Sequence, residues 1–338
     1  MKPVSLGIVG CGDIARFTAL FGRISRRVRL AAACDIDQER AANFARRYRI
    51  PQVCSDYAGL LQSEVEAVYL AVPHHLHFSM VSQAVAAGKA VFVEKPVTRT
   101  AAEGIELAGL VEKAGAKVAV NYQYRYDRAG YALARAVQQG TLGRVDLVRI
   151  NVPWRREAGY FDGAAWHRQI ATAGGGTLLT QGSHFLDLAI WALGGRALSA
   201  AGYTARRKFT MVEVEDVALG MLEMDSGALI QIASSMAAER EGAVSIEVYG
   251  AGGQAVYSDR PWPRLRIAAT GKVARQRPPV WGLHALQRSL EAFAIWVQGG
   301  APHLVPIQES LPALAAVEAI YESARSGQRV AVYEQMAV

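Results

Sequence analysis

An apolar run, Val4-Ser5-Leu6-Gly7-Ile8-Val9, leads straight into Gly10-Cys11-Gly12-Asp13-Ile14-Ala15. A strand that turns through Gly-x-Gly-x-x-Ala into a helix leaves few folds open. Gly10 permits the tight turn, Gly12 lets the backbone approach a ligand closely, and Ala15 is small enough for the helix to pack on the strand. Asp13 and Ile14 begin the helix, where free N–H groups and the helix dipole favour an anion such as a pyrophosphate. This context makes Gly10, Gly12, Asp13 and Ile14 candidate dinucleotide-binding residues.

The pattern continues as strands separated by helices. Strands are predicted over residues 28–34, 67–72, 90–93 and 117–120, and helices over 38–47, 75–87 and 101–114. Such alternation implies a parallel sheet with helices on both faces. After Asn121 the character changes. A helix is predicted over 128–138, an irregular stretch over 153–176, and a helix over 177–193. Mainly antiparallel strands follow over 197–206, 218–224, 228–234, 244–249 and 254–257, then helices over 284–298 and 310–326. A chain of 338 residues suits two domains.

Hydrophobic residues at 51% and charged residues at 20% describe a globular chain, not a disordered one. No apolar run is long enough to span a membrane, and the short apolar start reads as a strand rather than a signal peptide. Cys11, Cys34 and Cys54 lack metal-ligand spacing, so reduced thiols in the cytoplasm are the expectation. The formal charge of +7 comes with arginine clusters at 23–29, 46–49, 155–156 and 206–207. They read as solvated faces or as attraction for an anionic ligand; no nucleic-acid motif accompanies them.

Asp35 ends the second strand, 25 residues after Gly10, near the ~20 expected for the acid that binds the adenosine ribose. A carboxylate there repels a 2′-phosphate and favours NAD over NADP; the competing reading is a cap for the next helix. Val72-Pro73-His74-His75-x-His77 ends the third predicted strand. Its histidines have no partner cluster for zinc, so Val72, Pro73, His74 and His77 are expected to line the cofactor edge. The next strand ends at Glu94-Lys95-Pro96, where ligands bind in an open α/β sheet. The predicted helix 177–193 is apolar except for Thr180, Gln181, His184, Asp187 and Trp191, placed on one side at spacings of three and four. Gly174-Gly175-Gly176 before it would let a backbone approach a ligand. Hydride exchange at a carbinol carbon needs a group to move the hydroxyl proton; His184 suits this at neutral pH, and Lys95 suits it if its pKa is lowered.

These motifs together resemble the glucose–fructose oxidoreductase / inositol 2-dehydrogenase / rhizopine-catabolism (Gfo/Idh/MocA) family. The matching pieces are Gly10-x-Gly12-x-x-Ala15, Asp35, Pro73-x-x-x-His77, Glu94-Lys95-Pro96, Asn121-x-x-x-Arg125, Gly174-Gly175-Gly176, Gly182-x-His184-x-x-Asp187 and Tyr321-x-Ser323-Ala324-x-x-Gly327. The resemblance implies a Rossmann dinucleotide-binding domain over residues 1–121. It also implies a substrate-binding and oligomerisation α+β domain over 122–338 with a large, mostly antiparallel open sheet that makes homodimer or homotetramer contacts. It assigns Lys95 to substrate hydroxyl binding and proton relay, His184 to acid/base work, Glu94, Lys95 and Asn121 to the cofactor, and Arg125, Tyr160, Trp166, Thr180 and Gln181 to the substrate. A cis Lys95-Pro96 bond is implied as well.

Two positions depart from the family pattern. Thr180 stands where many relatives carry Asp, so a Lys–Asp–His relay cannot form, and Gln181 is expected to orient the substrate instead. His74 stands where relatives have Asn or Thr. Trp154, Tyr160, Phe161 and Trp166 either offer faces to a sugar or pin a long loop. The function expected is hydride transfer between nicotinamide and a secondary alcohol or ketone of a sugar, polyol or sugar derivative. The rivals are a glycosidase that keeps NAD bound through transient oxidation and elimination, and a non-catalytic dinucleotide-sensing regulator.

Overall fold

The computed structural model describes residues 2–270 and 276–332. The chain divides into two compact units. The first comprises Met1–Thr98, Glu103–Gln123 and Pro279–Ser310; the second comprises Arg99–Ala102, Tyr124–Pro278 and the chain from Leu311 onward. A single cut after residue 121 therefore misses the return of residues 279–310 to the first unit. The reason is packing. The helix Ala285–Val297 buries Leu290, Phe293 and Ala294 in the first unit's core, with Phe293 stacked on Phe92 at 5.2 Å.

The first unit is built on a six-stranded parallel sheet. Its strands are β1 (Val4–Val9), β2 (Val28–Cys34), β3 (Gln52–Cys54), β4 (Ala67–Leu70), β5 (Ala90–Val93) and β6 (Val118–Val120), in the order β3-β2-β1-β4-β5-β6. β1, β4, β5 and β6 are buried along nearly their whole length, which is why they read as mostly apolar runs. The order reverses between β1 and β4. That reversal opens a crevice at the carboxyl ends of the strands, where dinucleotides bind in sheets of this order.

The second unit carries an eight-stranded sheet. Its strands are β7 (Val145–Pro153), β8 (Ala197–Ala205), β9 (Val217–Met224), β10 (Leu229–Ser235), β11 (Ser245–Gly250), β12 (Gly253–Ser258), β13 (Arg264–Ala269) and β14 (Val330–Ala331), in the order β13-β12-β11-β7-β10-β9-β8-β14. All pairs are antiparallel except β7 with β10. One face buries Val148, Ile150, Ile230, Ile232, Leu222 and Ile246 in a core with the helices Arg128–Gln138, Ser183–Leu193 and Ile307–Ser326. A side chain at Gly220 would strike Ile320, so glycine there lets the last helix lie close. The other face leaves Tyr203, Leu219, Met221 and Leu229 exposed. Among the described residues no helix is long and apolar enough to cross a membrane.

Candidate active site

In the first unit, the candidate residues follow the carboxyl ends of five strands, β1, β2, β4, β5 and β6. After β1, Gly10 turns with φ +85°, and a Cβ there would sit 2.2 Å from the Ala71 carbonyl oxygen. Only glycine fits, and the close approach brings the loop against the end of β4. Gly12 differs. It precedes the helix Asp13–Ile24 with φ −77°, no side chain caps that helix, and a Cβ on Gly12 would meet nothing within 4 Å. The space beside Gly12 and the uncapped amides fit a phosphate-bearing ligand. Ala15 is fully buried, as close helix packing requires. Asp13 is exposed and pairs with Arg16 at 3.0 Å; Ile14 is partly exposed in the first turn.

Asp35, at the end of β2, is almost buried. Its Oδ2 accepts from the Cys11 N–H at 2.8 Å and its Oδ1 from the Asp37 N–H at 2.9 Å. The cap of the following helix is Asp37, which accepts from the Arg40 N–H. Asp35 therefore ties the glycine loop to the second strand and is not a helix cap. Arg40 leans on both acids, 3.4 Å from Asp35 and 3.1 Å from Asp37. Burial pushes the Cys11 thiol up to about 12 and the Cys34 thiol to about 11. All three cysteines are free and buried.

Around Lys95 the side chains lock one another. Lys95 is half-buried just after β5, and its bond to Pro96 is cis. Glu94 turns inward, and its Oε1 accepts from the Tyr69 hydroxyl at 2.5 Å and from Asn121 Nδ2 at 2.7 Å. Asn121 Oδ1 accepts in turn from the Ser289 hydroxyl. Burial raises the Glu94 carboxyl, against the pull of Tyr69, Asn121 and the Lys95 charge. Glu94 and Asn121, expected on the cofactor, thus spend these side-chain bonds inside the unit, holding β4, β5 and β6 in register behind Lys95. His77 opens the helix His77–Ala86. Its ring nitrogens stand 2.7 Å from the Pro96 carbonyl oxygen and 3.0 Å from that of Val72, which joins the loop after β4 to the one after β5. Burial pushes His77 down to about 4. Pro73 leads into a short 3-10 turn, His74–Leu76, with His74 buried against His77.

In the second unit the expected continuous helix over 177–193 begins instead with a π turn, Leu178–Gly182, followed by the α-helix Ser183–Leu193. Extra residues in a turn are frequent at functional sites. Here the turn breaks the expected polar strip into separate contacts. Thr180 donates to the Gly176 carbonyl oxygen at 2.7 Å and also bonds Tyr160. Gln181 is buried; its Oε1 accepts from the Thr177 hydroxyl at 3.1 Å, while its Nε2 has no partner among the described residues. His184 is buried edge-on to Tyr124 at 5.3 Å and near Trp154 at 6.4 Å. Arg125 closes its fork on Asp187, with bonds of 2.9 and 2.8 Å, both residues almost fully buried. This places Arg125 as a clamp on the helix that carries His184 and explains the spacing of the two motifs that contain the pair.

The glycine triplet was expected to approach a ligand, and the structure corrects this. A Cβ on Gly175 would sit 2.3 Å from the Tyr321 hydroxyl, and one on Gly176 would sit 1.8 Å from the Glu215 carbonyl oxygen. The glycines admit Tyr321 and Glu215. Glu215 escaped sequence reasoning; its signal was a paired acid, Glu215-Asp216, between the apolar Val214 and Val217. Tyr160, Phe161 and Trp166 join Phe209, Val212, Val214 and Met236 in a small apolar cluster that pins the irregular stretch.

Two family models match the chain. The oxidoreductase family with an NAD-binding Rossmann fold covers residues 4–122, and the Gfo/Idh/MocA C-terminal domain covers residues 131–256. The D-apiose dehydrogenase of Paraburkholderia graminis is 28% identical, with 98% of this chain and 90% of that protein covered. The D-glucoside 3-dehydrogenase of Escherichia coli is 25% identical, with 97% of each covered. The WlbA dehydrogenase of Bordetella pertussis, solved in complex with NADH and UDP-GlcNAcA, is 26% identical and superposes with a TM-score of 0.86 over 98% of this chain and 99% of that one. With an open, uncapped helix start at the reversal of a parallel sheet and both family models in order, the chain belongs to the Gfo/Idh/MocA family of NAD(P)-dependent oxidoreductases.

Proposed function

We propose that the protein oxidises a secondary alcohol, or reduces the matching ketone, of a sugar, polyol or sugar derivative, with NAD as its dinucleotide. The observation that carries this reading is the uncapped helix start at Gly12 beside Asp35. When bound, the nicotinamide supplies hydride exchange at the carbinol carbon. Gly10 and Gly12 shape the loop, the amides after Gly12 face the pyrophosphate, and Asp35 takes the ribose hydroxyls. The Asp35 carboxylate, with Arg40 already engaged by Asp35 and Asp37, supports NAD over NADP.

Lys95 and His184 act on the substrate hydroxyl, Lys95 binding it and His184 moving its proton; their pairing rests on the family motifs. Thr180 does not replace the missing acid of the relay, because its hydroxyl proton goes to the Gly176 carbonyl oxygen. Gln181 offers the free N–H of its amide to a substrate oxygen. The sugar acted on by D-apiose dehydrogenase and D-glucoside 3-dehydrogenase supports a carbohydrate substrate. The exposed apolar face of β8, β9 and β10 supports a homodimer or homotetramer through that sheet. The free, buried thiols suit the cytoplasm.

A panel of sugars, polyols and nucleotide sugars with NAD, followed by NADH absorbance, tests the reading. At least one should give NADH, and Lys95→Ala should abolish that turnover while leaving NAD affinity within about twofold. Silence across the panel, or full activity of Lys95→Ala, would overturn it.

A further inference from the structure

The turn that carries Gln181 is held from outside its own segment. Glu215 Oε2 accepts from the Gly176 N–H at 2.7 Å and Oε1 from the Leu178 N–H at 2.9 Å; the Glu215 carbonyl oxygen accepts from the Thr177 N–H at 3.0 Å. Tyr321 donates to Glu215 Oε1 at 2.9 Å and accepts from the Leu179 N–H at 3.2 Å. Four successive amides at a helix start are thus taken by two residues from distant parts of the sequence, whereas a local Ser, Thr or Asp is the usual cap. On the other side of the turn, Thr177 and Ser234 share a hydroxyl contact at 2.8 Å, and the Thr177 hydroxyl donates to the Gln181 side-chain oxygen Oε1. Among the described residues the buried Gln181 Nε2 is left without a partner. Buried donors are nearly always partnered, which leaves this one available to a ligand.

We propose that Glu215 and Tyr321 are positioning residues: by holding the amides of residues 176–179 they set the turn Leu178–Gly182 so that the Gln181 amide donates to an acceptor oxygen of the substrate. This rests on the reading that the turn serves a sugar-type substrate. The hold is ionisable. Burial pushes Glu215 up to about 7, against the pull of the Leu178 amide, Tyr321 and the Gly176 amide. A protonated Glu215 presents an O–H toward donors and loosens the grip. Tyr321 is the ionisable side chain bonded to it. The neighbouring acids face elsewhere: Glu213 accepts from the Ile170 N–H, Asp216 from the amides of Arg207, Lys208 and Phe209, and Glu318, one turn before Tyr321, from the Ala101 N–H.

The test uses the full chain with NAD and the variants Tyr321→Phe, Glu215→Gln and Glu215→Asp. Hydrogen exchange of peptides over 176–183 reads the turn directly, and kcat and KM for the sugar best used by the wild type are followed from pH 6 to 9. Tyr321→Phe should fold, keep its NAD affinity, exchange faster in that segment and lose about tenfold in kcat/KM. Glu215→Gln should remove the fall in kcat/KM below about pH 7, and Glu215→Asp should restore part of it. Unchanged exchange over 176–183 in folded Tyr321→Phe overturns the proposal, as does an acid limb that persists in Glu215→Gln. If the wild type uses no sugar, the reading of function fails, and the exchange data still decide whether Glu215 and Tyr321 hold the turn.

Discussion

At Gly12 a helix begins with no side-chain cap among the described residues and open space where a Cβ would stand. At Gly176 another begins with its amides taken by Glu215 and Tyr321, and a Cβ there would overlap the Glu215 backbone at 1.8 Å. In sequence the two starts look alike, small residues followed by a helix. The first leaves its positive end open. The second spends its positive end on an internal carboxylate and leaves a side-chain amide, Gln181 Nε2, without a partner among the described residues. Glycine content therefore says that something approaches closely, and only the neighbours say what.

Substitution separates the two starts most sharply at Gly176. Gly176→Ala must displace Glu215 and break several of the bonds that hold the turn, so a loss of at least ~3 kcal/mol is expected. A calorimetric melt should show the transition lowered by about 10 °C; an unshifted melt would mean the turn has slack that its close contacts deny. Gly12→Ala is the mirror experiment. Its backbone angles are ordinary and its space is open, so the melting temperature should hold within about 2 °C while NAD affinity drops roughly tenfold or more. A variant that binds NAD normally would remove Gly12 from the ligand's path. Smaller still is the effect of Asp35→Ser. It should cut NAD affinity about tenfold, raise the relative affinity for NADP, and cost about 1 kcal/mol because Cys11 and Asp37 lose their acceptor. An unaltered NAD-to-NADP ratio in titrations would take Asp35 off the ribose.

Much of this was legible in the sequence where local signals agree. β5 is an unbroken apolar run, and β1 and β2 are apolar apart from Ser5 and the exposed Arg29, because parallel strands are buried on both faces; the helix Arg128–Gln138 lies between Asp127, which caps it, and Gly140, which turns with φ +70°. β7 alternates, Val145-Asp146-Leu147-Val148-Arg149-Ile150-Asn151-Val152, with Val148, Ile150 and Val152 inward, yet no strand is predicted there. The period-2 signal was there and the irregular composition around it hid it. Other features had no local signal. A π turn within residues 177–193 leaves no mark on apolar spacing. Glu215 and Tyr321 find Gly176 only through tertiary packing, 39 residues from Gly176 in the case of Glu215. Arg125 is assigned to the substrate by the family resemblance alone; its bond to Asp187, which lies in the same motif as His184, has no local signal.

The comparison also extends to protons, with opposite signs in the two units. His77, in the first unit, is buried with its ring nitrogens toward two carbonyl oxygens, and burial lowers it from 6.5 to about 4. A group held neutral in the folded state binds fewer protons than it does unfolded. Its stabilisation is therefore present above pH 6.5 and is lost as pH falls through that value toward 4. Glu215, in the second unit, is raised by burial from 4.5 to about 7. It binds more protons folded than unfolded, so its contribution is present below pH 4.5 and is lost as pH rises through 7. Each effect is at most ~3 kcal/mol. Lowering the pH from 7 to 5 should weaken protection in the first unit's β4 and β5 relative to the second unit's β9 and β10, as read by hydrogen exchange corrected for the intrinsic rate. His77→Gln should flatten the first slope and Glu215→Gln the second. Parallel slopes in both units, or slopes that survive both substitutions, would place the responsible protons on other groups and leave the closed helix start indifferent to pH.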